Sequence, residues 1–499
     1  MDRKLLAIEG IYEGDDTNQS GNDSDVFQNN WESEKESYQE ENLVGVVKKT
    51  VGHFFPRFNN WLKRLTDIRN QDLITYRREV LVWVGLILLL TKQGARKKIT
   101  DFMRNEKFCK NLTILSGDYN LKQVPHGDSL EYLFCRMQES EVEQIPVKMI
   151  KELIKSRAIE RERFLCRYYM IAIDGVHVHT FDYKHCEHCL KREDDKGNKW
   201  WMHYKLEASL VSNSGLCLPI LDEWIENEPD YVKQDCELKA FKRLVRKIRE
   251  KFPRLPICLL LDGLYANQPV FNLLNELKIQ YIVVFKEKSM SFVYPWIMDL
   301  KKHIGKDKII YNRDEIEIAK RGTRTHEQRL QRNHPLGETR TKVKETIITW
   351  QAAMEFNEER SLFNVMTCKE MIDGKTTCDY VWLVSDGLNL SEDNVEKLVE
   401  AGRCRWNIEN QGFNTLKNGG YHLKHLYSKD EVSLKIWHVL INIAHIINQL
   451  IEKGSLISKK AFGAIANIAK KMFEHFRYFI YRPPEKFKRF QIRLCWDTS

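Results

Sequence analysis

The sequence of 499 residues lacks an apolar run long enough to cross a lipid bilayer. Its strongest apolar run, VLVWVGLILLLT at residues 80–91, has about 12 residues, whereas a spanning helix needs about 20. The first residues are acidic and polar and do not resemble a signal peptide. We therefore expect a buried helix at this run, no membrane segment and a cytoplasmic location.

The sequence also lacks the cysteine pattern of a disulfide-bonded protein. Its 12 cysteines are scattered along the chain, and many lie in apolar runs, as Cys166, Cys217 and Cys258 do. Buried, scattered thiols are typical of proteins that fold in a reducing compartment. The cysteine distribution therefore predicts free thiols.

Acidic residues are scarce outside the first 42 residues. Residues 1–42 contain 12 acidic and 3 basic residues, which leaves 58 acidic and 76 basic residues elsewhere and a net charge of +18. A body this basic favours a polyanionic partner, most often nucleic acid. The alternative is a basic protein that has no such partner.

Changes in sequence character divide the chain into regions. Residues 43–165 have helical periodicity, and residues 166–286 alternate apolar strands with amphipathic helices, which predicts an α/β domain with mixed strands. The predicted regions are an acidic disordered tail (1–42), a helical DNA-binding region (43–165), the first part of an α/β core (166–286), a β-rich insertion (287–380), the second part of the core (381–450) and a basic helical C-terminal tail (451–499).

Two aspartates follow strongly apolar predicted strands. Asp174 follows MIAI and Asp262 follows LLL, and each begins an Asp-Gly pair. Catalytic groups and ligands collect at strand ends in α/β sheets. Asp-Gly pairs also form ordinary turns, which is the alternative explanation for each of them.

Glu409 lies on the apolar stripe of a predicted helix, between Trp406 and Phe413. A charge pair with Arg405, four residues earlier, would explain it, but such pairs are normally solvated. A buried carboxylate is costly unless a positive charge compensates it, and a metal ion supplies that charge. Three carboxylates of this kind are what a site with two Mg²⁺ (or Mn²⁺) ions about 4 Å apart needs for phosphoryl transfer.

Several motifs of the chain resemble a known family. These motifs are YRREVLVWVGLILLL, MIAIDGV, HCEHCL, QDCELKAFKRL, LLLDGLYAN and RWNIENQGFNTLKNGGYHLKH. With them, about residues 75–450 resemble the DDE transposases of bacterial insertion sequences, in the subgroup with a β-rich insertion before the catalytic Glu. The resemblance implies a ribonuclease-H-like mixed sheet flanked by helices, with Asp174, Asp262 and Glu409 as the catalytic, metal-binding triad.

The subgroup has a signature around its Glu: Tyr, two residues, Arg, three residues, Glu, six residues, Lys. Arg405 and Glu409 match it. Gly402 stands at the Tyr position, and Lys417 follows Glu409 after seven residues instead of six. By this resemblance Arg405 and Lys417 contact the phosphates of a DNA end.

The resemblance also implies an activity and partners. The protein would bind the terminal inverted repeats of its own element as double-stranded DNA, and metal-activated water would hydrolyse a phosphodiester. The freed 3′-hydroxyl would then attack target DNA. Two element ends must be held together, which implies a homodimer on DNA, associated with the nucleoid of a bacterium or archaeon.

A cluster of cysteines and histidines lies between the first two predicted strands of the core. Cys186 and Cys189 form a Cys-x-x-Cys pair, and His203 follows 14 residues after the second cysteine. These ligand types and spacings suit tetrahedral Zn²⁺. We expect a structural zinc held by Cys186, Cys189, His203 and either His185 or His188; a polar hairpin with free thiols is the alternative.

Basic surfaces are the predicted DNA-backbone contacts. The helix after Cys236 carries Arg243, Arg246 and Lys247, and the insertion carries the basic segment KRGTRTHEQRLQR at residues 320–332. Charged helices are usually just solvated, so each patch alone is a weak signal. Phosphate contacts would make DNA binding strongly dependent on salt.

Two other functions remain open from the sequence. The chain could be a transposase-derived protein that binds DNA without catalysis, although all three carboxylates are present. It could also be a zinc-dependent nuclease or nucleic-acid adaptor built around the Cys/His cluster.

Overall fold

The computed structural model describes residues 42–228, 233–287, 290, 294–303, 309–319, 339–355, 362–457, 465–483 and 492–495. Two predictions fall outside this part of the chain. The acidic tail of residues 1–42 does so except for Asn42, and the basic segment of residues 320–332 does so entirely.

One mixed sheet of ten strands organises the described residues. The strands are β1 (Tyr169–Phe181), β2 (Leu190–Glu193), β3 (Lys199–Val211), β4 (Cys217–Ile225), β5 (Ile257–Leu261), β6 (Gln280–Val284), β7 (Ile309–Ala319), β8 (Thr339–Glu355), β9 (Leu362–Ile372) and β10 (Lys375–Val384).

The central part of the sheet has the strand order β4-β3-β1-β5-β6. Strands β1, β3 and β4 are antiparallel to their neighbours in this order, whereas β5 and β6 run parallel to β1. This order and these directions agree with the ribonuclease-H-like sheet that the resemblance implies. The predicted fold class, a mixed α/β sheet flanked by helices with a helical N-terminal region, is confirmed.

Four further strands widen the same sheet beyond β6. β10 pairs with β6, and β9, β8 and β7 follow outward, all antiparallel to their neighbours. The described strands of the segment predicted as an insertion, residues 287–380, therefore continue the same sheet and do not form a separate layer. Its outer strands alternate polar and apolar residues, as a sheet that is open to solvent on one face does.

Helices precede, flank and follow the sheet. The α-helices are Leu43–Phe54, Phe58–Lys63, Arg78–Leu90, Glu106–Ser116, Gly127–Phe134, Glu139–Val142, Gln144–Lys155, Glu237–Lys251, Gln268–Glu276, Tyr294–His303, Val395–Cys404, Asn414–Asn418, Glu431–Lys453 and Ile465–Tyr478.

The predicted apolar helix is confirmed as a buried one. The helix Arg78–Leu90 is apolar on all sides, and every residue from Glu79 to Leu90 is buried. A Cβ atom at Gly85 would lie 3.2 Å from the Leu440 side chain, so this glycine lets the helix Glu431–Lys453 pack closely against it. Within the described residues, Glu431–Glu452 is the helix that is long and apolar enough to cross a membrane, and 94% of its most apolar stretch is buried inside the protein.

The C-terminal helix Ile465–Tyr478 packs on the first helices of the chain. The backbone amide of Leu43 donates to His475 Nδ1 at 3.0 Å, and Asn111 Nδ2 donates to the carbonyl of Phe476 at 3.1 Å. The rings of Phe108 and Phe476 lie 5.5 Å apart. The helical N-terminal region and the sheet therefore share one hydrophobic core with the end of the chain.

A buried charge cluster joins β3, β4 and the long C-terminal helix. Lys205 Nζ lies 2.8 Å from Asp222 Oδ2 and 3.3 Å from Glu207 Oε2, and Asn442 Nδ2 donates to the same Asp222 oxygen at 3.1 Å. Lys205 and Glu207 have no exposed surface. Burial alone would lower the pKa of Lys205, but the two carboxylates outweigh it and raise that pKa. The ammonium group therefore stays charged inside the core.

We expect Lys205→Met to lower the free energy of unfolding by about 3–5 kcal/mol, because it leaves Glu207 and Asp222 buried without their cation. Urea denaturation followed by tryptophan fluorescence measures the loss. The matched control is Lys191→Met on β2, whose side chain is 40% exposed and lies 3.6 Å from Glu193. The control should lose less than about 1 kcal/mol; equal losses would contradict the importance of the cluster.

Candidate active site

Asp174 lies within β1 rather than at its end. The sequence suggested that the strand stops there, but β1 continues to Phe181 because it stays paired with β3. Its parallel pairing with β5 ends earlier, where Ala172 faces Leu260. When this register is extended by two residues on each strand, Asp174 lies level with Asp262. Both then lie at the edge of the sheet where β1 separates from β5.

Asp262 directly follows β5, as predicted, and precedes a short 3₁₀ turn. Its carboxylate accepts hydrogen bonds from Lys286 Nζ, at 2.8 Å to Oδ1 and 3.2 Å to Oδ2. Burial would raise the pKa of Asp262, but Lys286 and the backbone amide of Gly263 outweigh it and hold that pKa below its ordinary value. Lys286 is a residue that the sequence analysis missed; the only signal was its position just after an apolar strand.

The segment around Glu409 is not one continuous α-helix. The α-helix Val395–Cys404 gives way to a π-helix, Ile408–Phe413. A π-helix has wider turns than an α-helix, so the predicted stripe at spacings of three and four does not continue. Trp406, expected in the core, is 42% exposed, and the side chain of Glu409 is 34% exposed. Glu409 was expected to be buried toward metal ions rather than toward a core, and its side chain is only partly buried, where it bonds Arg405.

Arg405 joins two of the three carboxylates. Its Nη1 donates to Asp174 Oδ2 at 3.2 Å, and its Nη2 donates to Glu409 Oε1 at 2.7 Å. The ion pair considered from the sequence therefore exists, but it is not a solvated one, because the Arg405 side chain is only 6% exposed. The same positive charge lowers the pKa of Asp262. All three predicted carboxylates thus lie within the influence of one buried guanidinium.

The carboxylates of the site are partly buried. The pKa of Asp174 is raised to about 6, first by burial and then by the charge of Glu409, and the opposing charge of Arg405 does not offset these effects. The side chains of Asp174, Asp262 and Glu409 are 22%, 30% and 34% exposed. Carboxylate oxygens that are partly open to solvent fit a hard divalent cation such as Mg²⁺ or Mn²⁺.

Lys417 lies on the same side of the structure as the carboxylates. The charges of Asp174 and Glu409 raise its pKa, although burial, together with Lys424, lowers that pKa overall. The chain between Glu409 and Lys417, one residue longer than the family signature, contains most of the π-helix. A π-turn contains one more residue than an α-turn does, so the longer spacing coincides with this π-helix.

Gly402 leaves no space for the Tyr of the family signature. A Cβ atom at this position would lie 2.8 Å from the ring of Trp382, on β10, which is itself fully buried. Trp382 stacks on Tyr380 with ring centroids 5.1 Å apart. The indole therefore occupies the volume that a larger side chain on the helix would need.

The three basic residues predicted to contact DNA from the helix Glu237–Lys251 are all in ion pairs. Arg243 and Lys247 both pair with Glu223, and Arg246 lies 3.2 Å from Glu276. These carboxylates neutralise much of the charge that the sequence shows on this helix. Their contact with DNA stays a prediction.

Four side chains of the Cys/His cluster converge. Cys186 Sγ lies 3.4 Å from Cys189 Sγ, and His203 Nε2 lies 3.7 Å and 3.6 Å from these two sulfurs and 3.2 Å from His185 Nδ1. Among the described residues, this is the one group of three or more His, Cys, Asp or Glu side chains whose ligand atoms all lie within 4.8 Å of one another. Of the two histidines that the sequence left open, the structure brings His185 to the cluster.

His188 points elsewhere. Its Nδ1 lies 2.9 Å from the carbonyl oxygen of Asn227, and its Nε2 lies 3.9 Å from Glu431. The ring therefore bonds to the segment that follows β4 and lies near the start of the long C-terminal helix, rather than joining the two thiols. Sequence spacing alone could not separate His185 from His188, since both flank the same Cys-x-x-Cys pair.

Comparison with known proteins places these residues in a family. The family model of the transposase DDE domain matches residues 166–447, which is more than half of the chain and includes all three carboxylates. Among solved structures, the piggyBac transposase synaptic complex with hairpin DNA is similar at 9% identity and a TM-score of 0.34, over 86% of this chain and 79% of that chain. No curated protein matches. On the family match, the chain belongs to the transposases with a DDE domain.

Proposed function

We propose that this transposase binds the terminal inverted repeats of its own element and cuts and joins DNA in a cut-and-paste reaction. Asp174, Asp262 and Glu409 are its catalytic, metal-binding residues. The observation that carries this proposal is the buried Arg405, which holds Asp174 and Glu409 together and acts on Asp262 at the end of the neighbouring strand.

The chemistry divides between the protein and its metal ions. When bound, two Mg²⁺ or Mn²⁺ ions activate the attacking oxygen and stabilise the leaving one. Asp174 and Asp262 present their oxygens from adjacent strands, and Glu409 presents its own from the π-helix. Arg405 fixes the orientation of two of these carboxylates, and Lys417 supplies positive charge beside them for a DNA phosphate.

The proposed substrate is double-stranded DNA, first at the element ends and then at the target. The reaction hydrolyses a phosphodiester and uses the freed 3′-hydroxyl to attack a second DNA. Because two element ends must be held together, the active form would be a homodimer on DNA. Such a protein would work at the nucleoid, in the cytoplasm.

We expect Asp174→Asn, Asp262→Asn and Glu409→Gln each to reduce DNA cleavage at least about 10³-fold, because loss of a metal ligand removes several kcal/mol of transition-state stabilisation. DNA binding, which depends on basic residues, should persist. Nicking of a plasmid that carries the element ends measures cleavage, and a gel-shift assay measures binding. The matched control is Asp386→Asn, another exposed Asp-Gly aspartate, which follows antiparallel β10 near the start of β6.

Each outcome separates the candidate functions. Wild-type cleavage by the triple variant would refute the assignment of the site. Binding without cleavage in the wild-type protein, with Mg²⁺ or Mn²⁺ present, would favour the transposase-derived DNA-binding protein. Activity that survives the triad variants but not Cys186→Ser would favour a zinc-dependent nuclease or adaptor.

We also propose that Cys186, Cys189, His203 and His185 hold a structural Zn²⁺. Donors bonded to one tetrahedral zinc at about 2.0–2.3 Å lie about 3.3–3.8 Å apart. Four of the six separations among these donors are 3.2–3.7 Å, and all of the donors lie within 4.8 Å of one another. The hydrogen bond between the two thiols lowers the pKa of Cys189 and raises the pKa of Cys186, and His203 lowers the pKa of Cys189 further, which favours one thiolate of the kind that zinc binds. Four protein donors leave no position for a substrate, so the site is structural rather than catalytic.

We expect the protein purified without chelator to contain about one zinc per chain by elemental analysis, because the four donor atoms already lie within 4.8 Å of one another. A zinc concentration 100-fold above its Kd would stabilise the fold by about 2.7 kcal/mol, so removal of the metal should lower the Tm. Cys186→Ser should lose the zinc and show no further change with chelator. Cys236→Ser, at an exposed free cysteine, is the control and should keep it. Zinc-free wild-type protein would contradict the site.

A further inference from the structure

Among the described basic side chains at the carboxylate site, Lys286 is the one that both forms an ion pair with a carboxylate and is largely exposed to solvent. It lies two residues after β6, beside the end of the parallel strand β5 that carries Asp262. Its ammonium bonds both oxygens of the Asp262 carboxylate, yet the side chain is 59% exposed. Both oxygens of a proposed metal ligand are therefore occupied by a cation that has room to move.

The two basic partners of the site differ in mobility. Arg405 is 6% exposed and is held by Asp174 and Glu409 together, so it can leave only if both bonds break. Lys286 has a flexible four-carbon stem, one carboxylate partner and open solvent around it. Of the two, Lys286 is the one that can change partners while the fold stays unchanged.

We propose that Lys286 is a positioning residue that holds Asp262 in the metal-free protein and transfers its ammonium to a DNA phosphate when a divalent cation takes the carboxylate. This inference rests on the proposed function of the same site. Charge supports the exchange. An incoming divalent cation repels the ammonium at Asp262, while the DNA backbone brings a negative charge to the same edge of the sheet.

The proposed exchange predicts that removal of Lys286 raises the affinity for a divalent cation when DNA is absent. The reason is that Lys286 competes with the metal for Asp262. Partly exposed ion pairs contribute up to about 1 kcal/mol, which corresponds to an affinity about 2- to 5-fold higher for Lys286→Met. A residue that merely stabilised the strand end would leave the metal affinity unchanged or reduce it.

The experiment titrates the full-length, zinc-loaded protein with Mn²⁺ and follows free Mn²⁺ by electron paramagnetic resonance. Lys286→Met should bind Mn²⁺ about 2- to 5-fold more tightly than the wild type, and Lys286→Arg should stay close to the wild type because it keeps the charge. The control is Lys375→Met, which removes an exposed lysine at the start of β10, at the β9–β10 turn, and should change nothing. Unchanged or weaker Mn²⁺ binding by Lys286→Met would overturn the inference.

The proposed transfer of the Lys286 ammonium to a DNA phosphate is tested by a separate measurement. The affinity for the element-end DNA is measured over a series of salt concentrations. The slope of log affinity against log salt concentration should be about one unit smaller in magnitude for Lys286→Met than for the wild type, because one phosphate contact disappears. By thermodynamic linkage, DNA should then tighten Mn²⁺ binding less in this variant than in the wild type. An unchanged salt slope would overturn the transfer of the ammonium to DNA.

The triple carboxylate variant separates failure of the inference from failure of the proposed function. If Asp174→Asn, Asp262→Asn and Glu409→Gln together abolish Mn²⁺ binding while Lys286→Met leaves the affinity unaltered, the metal site stands and the exchange is refuted. If the triple variant binds Mn²⁺ as the wild type does, the metal lies elsewhere, and both the proposed site and the exchange are refuted.

Discussion

The cost of placing carboxylates together governs the architecture of this site. Asp174, Asp262 and Glu409 come from segments that are far apart in the sequence, and each would repel the others in a partly buried setting. Arg405 stabilises the arrangement by bonding Asp174 across 231 residues of sequence and Glu409 four residues further along the chain. Even so, the pKa of Asp174 is raised to about 6, mainly by burial, and Glu409 contributes to the rise. A divalent cation bound to these carboxylates would stabilise their charged forms further.

The sheet makes this convergence possible through its mixture of strand directions. β5 stops at Leu261 while β1 runs on to Phe181 with β3, so the strands separate and leave an edge at which Asp174 and Asp262 stand level. The buried cluster of Lys205 supports β3 and β4 behind this edge. The added strands β10 to β7 lie on the other side of β6, and they widen the sheet there.

Much of this could be predicted from the sequence, and the failures have physical reasons. Apolar runs that lead into aspartates indicate the fold and two of the proposed metal ligands, because buried strands leave a local pattern, although β1 continues past Asp174. Exposure around Glu409 could not be predicted, since a π-helix changes the periodicity on which the stripe was counted. Lys286 and the pairing of Arg243 with Glu223 depend on contacts between distant segments, and no local pattern indicates such contacts. The choice of His185 over His188 was likewise decided by the fold around Asn227.

The two clusters of candidate metal ligands in this chain differ in their donor atoms and in how open they are to solvent. The Cys/His cluster brings four donors within 4.8 Å of one another, so a bound zinc would be saturated by protein and would join the β1–β2 connection to β3. The carboxylates are instead bonded to basic side chains, and they remain partly exposed. That arrangement leaves coordination positions for water and for phosphate oxygens, which Mg²⁺ keeps in nearly every site it occupies. Hard oxygen ligands that are partly open to solvent suit a metal that takes part in a reaction, whereas a closed set of thiolate and imidazole ligands suits a structural metal. The position of Lys286, exposed yet bonded to Asp262, belongs to the first kind, because only an open site needs a cation that can be exchanged.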